Sequence, residues 1–196
     1  ATDAAGLAAS DRIDWANATD TGSLLPTFGA GLTSAIELRI SGAASVDVFG
    51  FVVGTVDSFV MTTGTADVDT NNTNIGTSGT LSGASVMSLT LSGLDLFAGV
   101  GASLDEGGAG LADDTVDTGG AIGFSIIGGA INFASVRPGG LALGDQTAFT
   151  GVEISLAGAQ LVGIEGLIFK AEGSVLVNKA TDAAGLAASD RIDWAN

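Results

Sequence analysis

Runs in which every second residue is apolar, each closed by a glycine, decide what this chain can become. They read ELRISG at 37–42, SLTLSG at 88–93, GFSIIG at 123–128 and EISLAG at 153–158. Leu38 with Ile40, Leu89 with Leu91, Phe124 with Ile126 and Ile154 with Leu156 each fall on one face of an extended segment, because side chains alternate across a strand. A second apolar run follows each glycine: ASVDVFGFVV from Ala44, LDLFAGVGASL from Leu94, AINFASV from Ala130 and AQLVGIEGLIF from Ala159. The pattern predicts four strand–glycine–strand modules, the glycine serving as bend, bulge or tight turn between paired strands. Further strands are predicted at 12–15 (RIDW), 58–62 (SFVMT) and 174–178 (SVLVN). The expectation is an all-β chain of a dozen or so strands.

The first seventeen residues, ATDAAGLAASDRIDWAN, recur letter for letter at 180–196. An identity of that length implies a tandem array, with residues 1–179 as one unit and 180–196 as the start of the next. A deliberately duplicated end, or one domain with copied flanks, are the rivals. Thr2 and Asp3 could cap a helix through the Ala-rich stretch. The reading adopted is a hairpin, SVLVN running through KATDAAGLAASD into RIDW. Stacked units give an elongated repeat architecture: β-solenoid, β-tube or sandwich-like units in a row.

Twenty-two acidic and six basic side chains leave a net charge of −16. Removing the closing copy, which carries −2, leaves −14 per period. Such a surface repels phosphate, and nucleic acid is excluded as a partner. The chain has no Cys and no His, which removes disulfides, thiolate metal sites and the commonest general base. No apolar run reaches the roughly 20 residues that a membrane helix needs. A membrane β-barrel would call for aromatic girdles, yet the chain has no Tyr.

Linkers rich in Gly, Asp, Asn and Thr separate the modules at 65–80, 105–120 and 137–149. In DVDTNNTN, residues Asp67, Asp69 and Asn71 stand at alternate positions, like the opening of an oxygen-ligand calcium loop, although Asn72 occupies the place of the expected glycine. The second linker carries Asp105, Glu106, Asp113, Asp114 and Asp117 around a glycine-rich bend. That density of carboxylates calls for a counter-ion, so both linkers are candidate calcium sites; a plain polar turn is the alternative for the first. Glycoside hydrolysis by paired carboxylates would need an aromatic-lined cleft, and the two Trp, Trp15 and Trp194, are one residue of the repeat counted twice. With no G-x-S-x-G elbow or S-x-x-K either, the chain reads as non-enzymatic. Trp15 shares a strand face with Ile13 and reads as a packing residue.

The period, the acidic Cys-free composition and runs such as LTLSGLDLFAGVGASLD and GVEISLAGAQLVGIEGLIFKAEGSVLVN resemble giant repetitive bacterial surface proteins of the adhesin type. The linkers depart from the GGxGxDxxx nonapeptide of calcium β-rolls. The resemblance implies a long extracellular stalk or filament at the cell surface, built of stacked β-units, possible calcium rigidification, and no catalytic residues. The partners are then identical neighbouring repeats. The alternative is a self-assembling filament whose separate subunits donate a strand across the joint. An ice-binding solenoid would require a regular Thr ladder, which the Thr-rich stretch 61–80 lacks.

Overall fold

In a computed structural model, residues 12–20, 22–111 and 113–195 are described. Eight strands form among them: β1 (Ile36–Val48), β2 (Val52–Asp69), β3 (Thr80–Val100), β4 (Ser103–Glu106), β5 (Asp114–Asp117), β6 (Ile122–Arg137), β7 (Ala148–Val162) and β8 (Phe169–Thr181). Six of them make one antiparallel sheet in the order β1-β2-β3-β6-β7-β8, and β4 and β5 form a separate hairpin inserted between β3 and β6. The all-β expectation holds. Among the described residues the sheet is open and shows neither a closed barrel nor a solenoid, which leaves the repeat architecture unconfirmed.

The strand count corrects the modular reading. Gly42, Gly93, Gly128 and Gly158 lie inside β1, β3, β6 and β7, so the first run of each module and the start of the second share one strand rather than forming a pair. AINFASV stays within β6, whereas ASVDVFGFVV, LDLFAGVGASL and AQLVGIEGLIF run on past the end of their strand into the next. The runs at 58–62 and 174–178 lie within β2 and β8. RIDW is irregular in both copies, so the predicted strand there is wrong. Beyond β8 the chain does turn back, with a bridge between Thr181 and Ala187 and the Ala188 amide donating to the Ala180 carbonyl. The Ala-rich stretch is not helical in the second copy; in the first copy, residues 1–11 lie outside the described residues.

Rows of directly opposed residues show what the glycines do. One row runs Ile40, Met61, Leu89, Phe133, Val152, Val177, and the next Gly42, Phe59, Leu91, Ile131, Ile154, Val175. Three more follow: Ala44, Val56, Leu94, Gly129, Leu156, Gly173; then Val46, Gly54, Leu96, Ile126, Ala159, Ala171; then Val48, Val52, Ala98, Phe124, Leu161, Phe169. Between the second and third rows, β2 and β3 spend three residues where their neighbours spend two. Between the third and fourth, β6 and β7 do the same. An extra residue in a strand is a β-bulge, and it restores a face that strict alternation would lose. Gly93 and Gly128 sit at these extra positions with φ of 64° and 63°, a conformation that a residue with a Cβ adopts at a cost of roughly 1–2 kcal/mol.

Carboxylates of neighbouring strands hold the bulges. Asp95 Oδ1 accepts the Gly128 amide at 2.7 Å, and Asp67 Oδ1 accepts that of Gly83 at 2.7 Å, where φ is again positive. The Asp57 carboxylate fills the place that a Cβ on Gly93 would take.

The opposite face is polar across its middle, with rows such as Arg39, Thr62, Ser88, Ala134, Gly151, Asn178. A small core covers each end of it. At one end the β4–β5 hairpin packs Leu104 and Val116 on Val53, Phe97, Ala102 and Ala121. At the other, Ile75, Leu81, Val136, Phe149, Ala180 and Ile192 cluster, joined by Trp194. A Cβ on Gly151 would meet the Trp194 indole at 2.7 Å, so the ring lies flat against a bare stretch of backbone.

Replacing Gly93 or Gly128 with Ala is expected to lower unfolding stability in urea by about 1–2 kcal/mol. Gly158→Ala, whose Cβ would meet nothing within 4 Å, is expected to change it by less than about 0.5 kcal/mol. Equal effects at the three sites would contradict the assignment of the bulges.

Candidate interaction face

The five apolar rows make one continuous face, from the edge strand β1 to the edge strand β8. Contacts between strands run among sheet neighbours and from the β4–β5 hairpin to β1, β2 and β3, and, that hairpin apart, no second layer of strands packs on the sheet among the described residues. Its side chains stay partly open to water: Ile40, Val46, Val48, Val52, Phe124, Phe169 and Val175 are all exposed. Six strands at about 4.8 Å spacing, and about 33 Å of strand length, give roughly 800 Å² in plan. That is on the order of what each partner buries in a standard protein interface, and above the largest apolar patch of an ordinary monomer. Burying an area of that size is worth about 20 kcal/mol of gross hydrophobic free energy, before the costs of association. Lys179 ends the flanking row of Leu38, Thr63, Met87, Ser135 and Thr150, at the margin of the face.

The turn between β1 and β2 adds a projecting apolar tip. Phe49 and Gly50 both have positive φ, 53° and 69°, and the Asp47 carboxylate fixes them by accepting the Gly50 amide at 2.8 Å. Its second oxygen accepts the Leu104 amide at 3.3 Å, which ties the hairpin to the sheet. Phe49 is 93% exposed at this strained turn.

The acidic residues singled out as calcium ligands are spread over separate elements. Asp67 holds the Gly83 bulge, and Asp69 Oδ1 accepts the Asn71 amide at 2.9 Å in the turn after β2. Asn71 itself takes a positive φ of 50°. In the hairpin, Asp105 stands opposite Thr115 and Glu106 opposite Asp114, which is buried. Asp113 lies against Gly107 and Gly108, and Asp117 Oδ1 accepts the Gly119 amide at 2.7 Å. Among the described residues, no three acidic groups converge in a metal-holding cluster. Calcium binding therefore stands as the sequence leaves it.

Trp15 is a packing residue, although its partner was not evident from the sequence. Its ring lies 5.4 Å from that of Phe28, tilted by 55°. Ile13, expected to share its buried face, is 56% exposed. Sequence reading missed the apolar face as a unit, because its two halves follow opposite odd–even numbering. The signal that could have found it is the glycine itself, taken as a change of phase instead of a turn.

One half-buried carboxylate is held below the ordinary carboxylate range. Asp145 Oδ1 accepts the Thr147 hydroxyl at 2.6 Å and its amide at 2.8 Å, and the Arg137 charge adds to the effect. No protein-family model, curated protein or solved structure matches the chain.

A carboxyl whose pKa falls on folding stabilises the fold above its unfolded value, and that contribution is lost as pH falls through the folded one. NMR titration should therefore find Asp145 protonating below the ordinary carboxylate range. Thr147→Val, which removes the hydroxyl donor, should move its midpoint upward. An unchanged midpoint in that variant would contradict the assigned cause.

Proposed function

We propose that this chain is a non-catalytic structural unit of an extracellular filament or stalk at a cell surface, in which residues 1–179 repeat in tandem and 180–196 open the next unit. The observation that carries the reading is the continuous apolar face on a single-layer sheet. An isolated copy leaves that face in water, whereas a repetitive assembly covers it with the same face of other units. The identical seventeen-residue ends supply the period. A charge of about −14 per unit, concentrated in loops and on the polar face, keeps the outside of such an assembly solvated. On this reading the partners are identical units, and length is the product.

The open edges β1 and β8 favour a second reading, in which separate subunits of this size assemble without a covalent array. The two differ in one property, the mass of the native chain: a single very large band on a denaturing gel belongs to the array, and a band near 19 kDa to the assembled subunit. Calcium belongs to both readings as the cation for the loops that carry Asp105, Glu106, Asp113, Asp114 and Asp117, where it would offset their mutual repulsion.

The test is sedimentation of the purified chain with calcium and after chelation. The expected result is concentration-dependent self-association at micromolar levels, with a melting temperature that falls on chelation because only the folded state holds the ion. Ile131→Asp, placed in the middle of the apolar face, should abolish association. A stable monomer that binds no apolar dye would overturn the filament reading, and a melting temperature indifferent to chelation would remove calcium from it.

A further inference from the structure

The two edges of the sheet match each other. Neither β1 nor β8 carries an extra residue where the four inner strands do, so the span from Leu38 to Val48 corresponds residue for residue to that from Lys179 to Phe169. Each row that leaves the sheet at an apolar or small residue of β8 enters it at an apolar or small residue of β1. Val177 closes the row that Ile40 opens, and Phe169 closes the row that Val48 opens. On the polar face, Lys170 closes the row that Asp47 opens, so opposite charges end one row. Alternation of direction along the sheet sets β1 and β8 antiparallel, as an added neighbour requires.

The repeated segment points to the same junction from independent contacts. Its closing copy packs on the end of β8: Asn178 donates to the Ile192 carbonyl at 2.8 Å, and the Trp194 indole donates to Asn178 Oδ1 at 3.2 Å. Its opening copy packs on the start of β1, where Arg12 pairs with Glu37 at 3.3 Å and reaches Thr65 Oγ1 at 3.5 Å. Register continued across β8 and β1 sets Leu38 of a following unit beside Lys179, one residue short of Ala180, whose carbonyl is taken by the Ala188 amide of the returning chain. The repeated segment therefore begins where the paired edges end.

The two sets of contacts use different side chains at the isoleucine and the arginine, while the tryptophan meets Phe28 in the opening copy and Gly151 and Asn178 in the closing one. Both copies share one local hydrogen bond, with Ala16 donating to Asp14 Oδ1 at 3.2 Å and Ala195 to Asp193 Oδ1 at 3.1 Å. Ile192 is 2% exposed, whereas its equivalent Ile13 is 56% exposed. Arg12 is engaged with Glu37, whereas its equivalent Arg191 is exposed. The isoleucine side serves the unit before and the arginine side the unit after.

We propose that consecutive units join edge to edge, β8 of one against β1 of the next in the register that opposes Leu176 with Ser41, and that residues 190–196 clamp this junction by packing on both units at once. The proposal rests on the repeat reading above and names its interface. An exposed sheet edge is a template for such addition.

The test is a two-unit chain, residues 1–196 continued by a second copy of 18–196, carrying L176C in the first unit and S41C in the second. Both positions are exposed, so neither cysteine should disturb the fold. Mild oxidation is expected to lock this pair, while I40C in place of S41C, one residue out of register and on the other face, should lock several-fold less. Arg191→Ala should lower the yield in the two-unit chain yet leave the melting temperature of the single 196-residue chain unchanged, whereas Ile192→Ser should lower that temperature. No locking, or equal locking in both registers, would overturn the proposal. The native chain's mass decides the array separately: a lock in the two-unit chain with a native band near 19 kDa keeps the junction and discards the covalent array.

Discussion

The period of two along a strand is the constraint on which this structure depends. An apolar sequence that keeps strict alternation builds one clean face, and a single inserted residue sends everything beyond it to the other side. Here the insertions occur inside four adjacent strands at nearly one level, so the inner strands change phase together while the edge strands β1 and β8 keep strict alternation there. The apolar rows of the ELRISG-like halves therefore continue into those of the following halves, and the polar side remains available for the hairpin and the returning chain. Gly93 and Gly128 make this possible through positive φ, and Asp57, Asp67 and Asp95 occupy or bond the space around glycines of neighbouring strands.

That arrangement explains why an acidic, apolar-rich chain is organised as it is. Several carboxylates that look like surface coat hold backbone amides, and the fold uses them in place of the disulfides that a chain without cysteine cannot form. The two small cores sit at opposite ends of the polar face, under Phe97 and around Ile192, and they fasten the loops instead of filling a sandwich. On the proposed reading the large apolar surface serves association, and the open strands at both edges give it a direction.

Much of this was legible in the sequence, within limits set by local pattern. The alternating runs located β1, β3, β6 and β7, and SFVMT and SVLVN fell within β2 and β8. The glycines were seen, but a glycine in a bulge and one in a hairpin turn present the same local chemistry; only the identity of the paired strand separates them, and pairing is non-local. For the same reason Asp95 could not be matched to Gly128, 33 residues away. RIDW is the sharpest case. One sequence stands in two environments, with its isoleucine buried in one copy and open in the other, and no reading of four letters distinguishes them.

The central claim is that the phase change keeps a single apolar face, which assembly then covers. Ile131 and Phe124 test it most directly, because uninterrupted alternation would put them on opposite faces while the bulge at Gly128 puts them on the same one. Single-cysteine variants I131C, F124C and N132C of the assembled chain can be labelled with a hydrophilic maleimide. The account predicts that I131C and F124C are both protected and N132C reacts freely. Protection of I131C alone, with F124C as reactive as N132C, or equal labelling of all three, would contradict it.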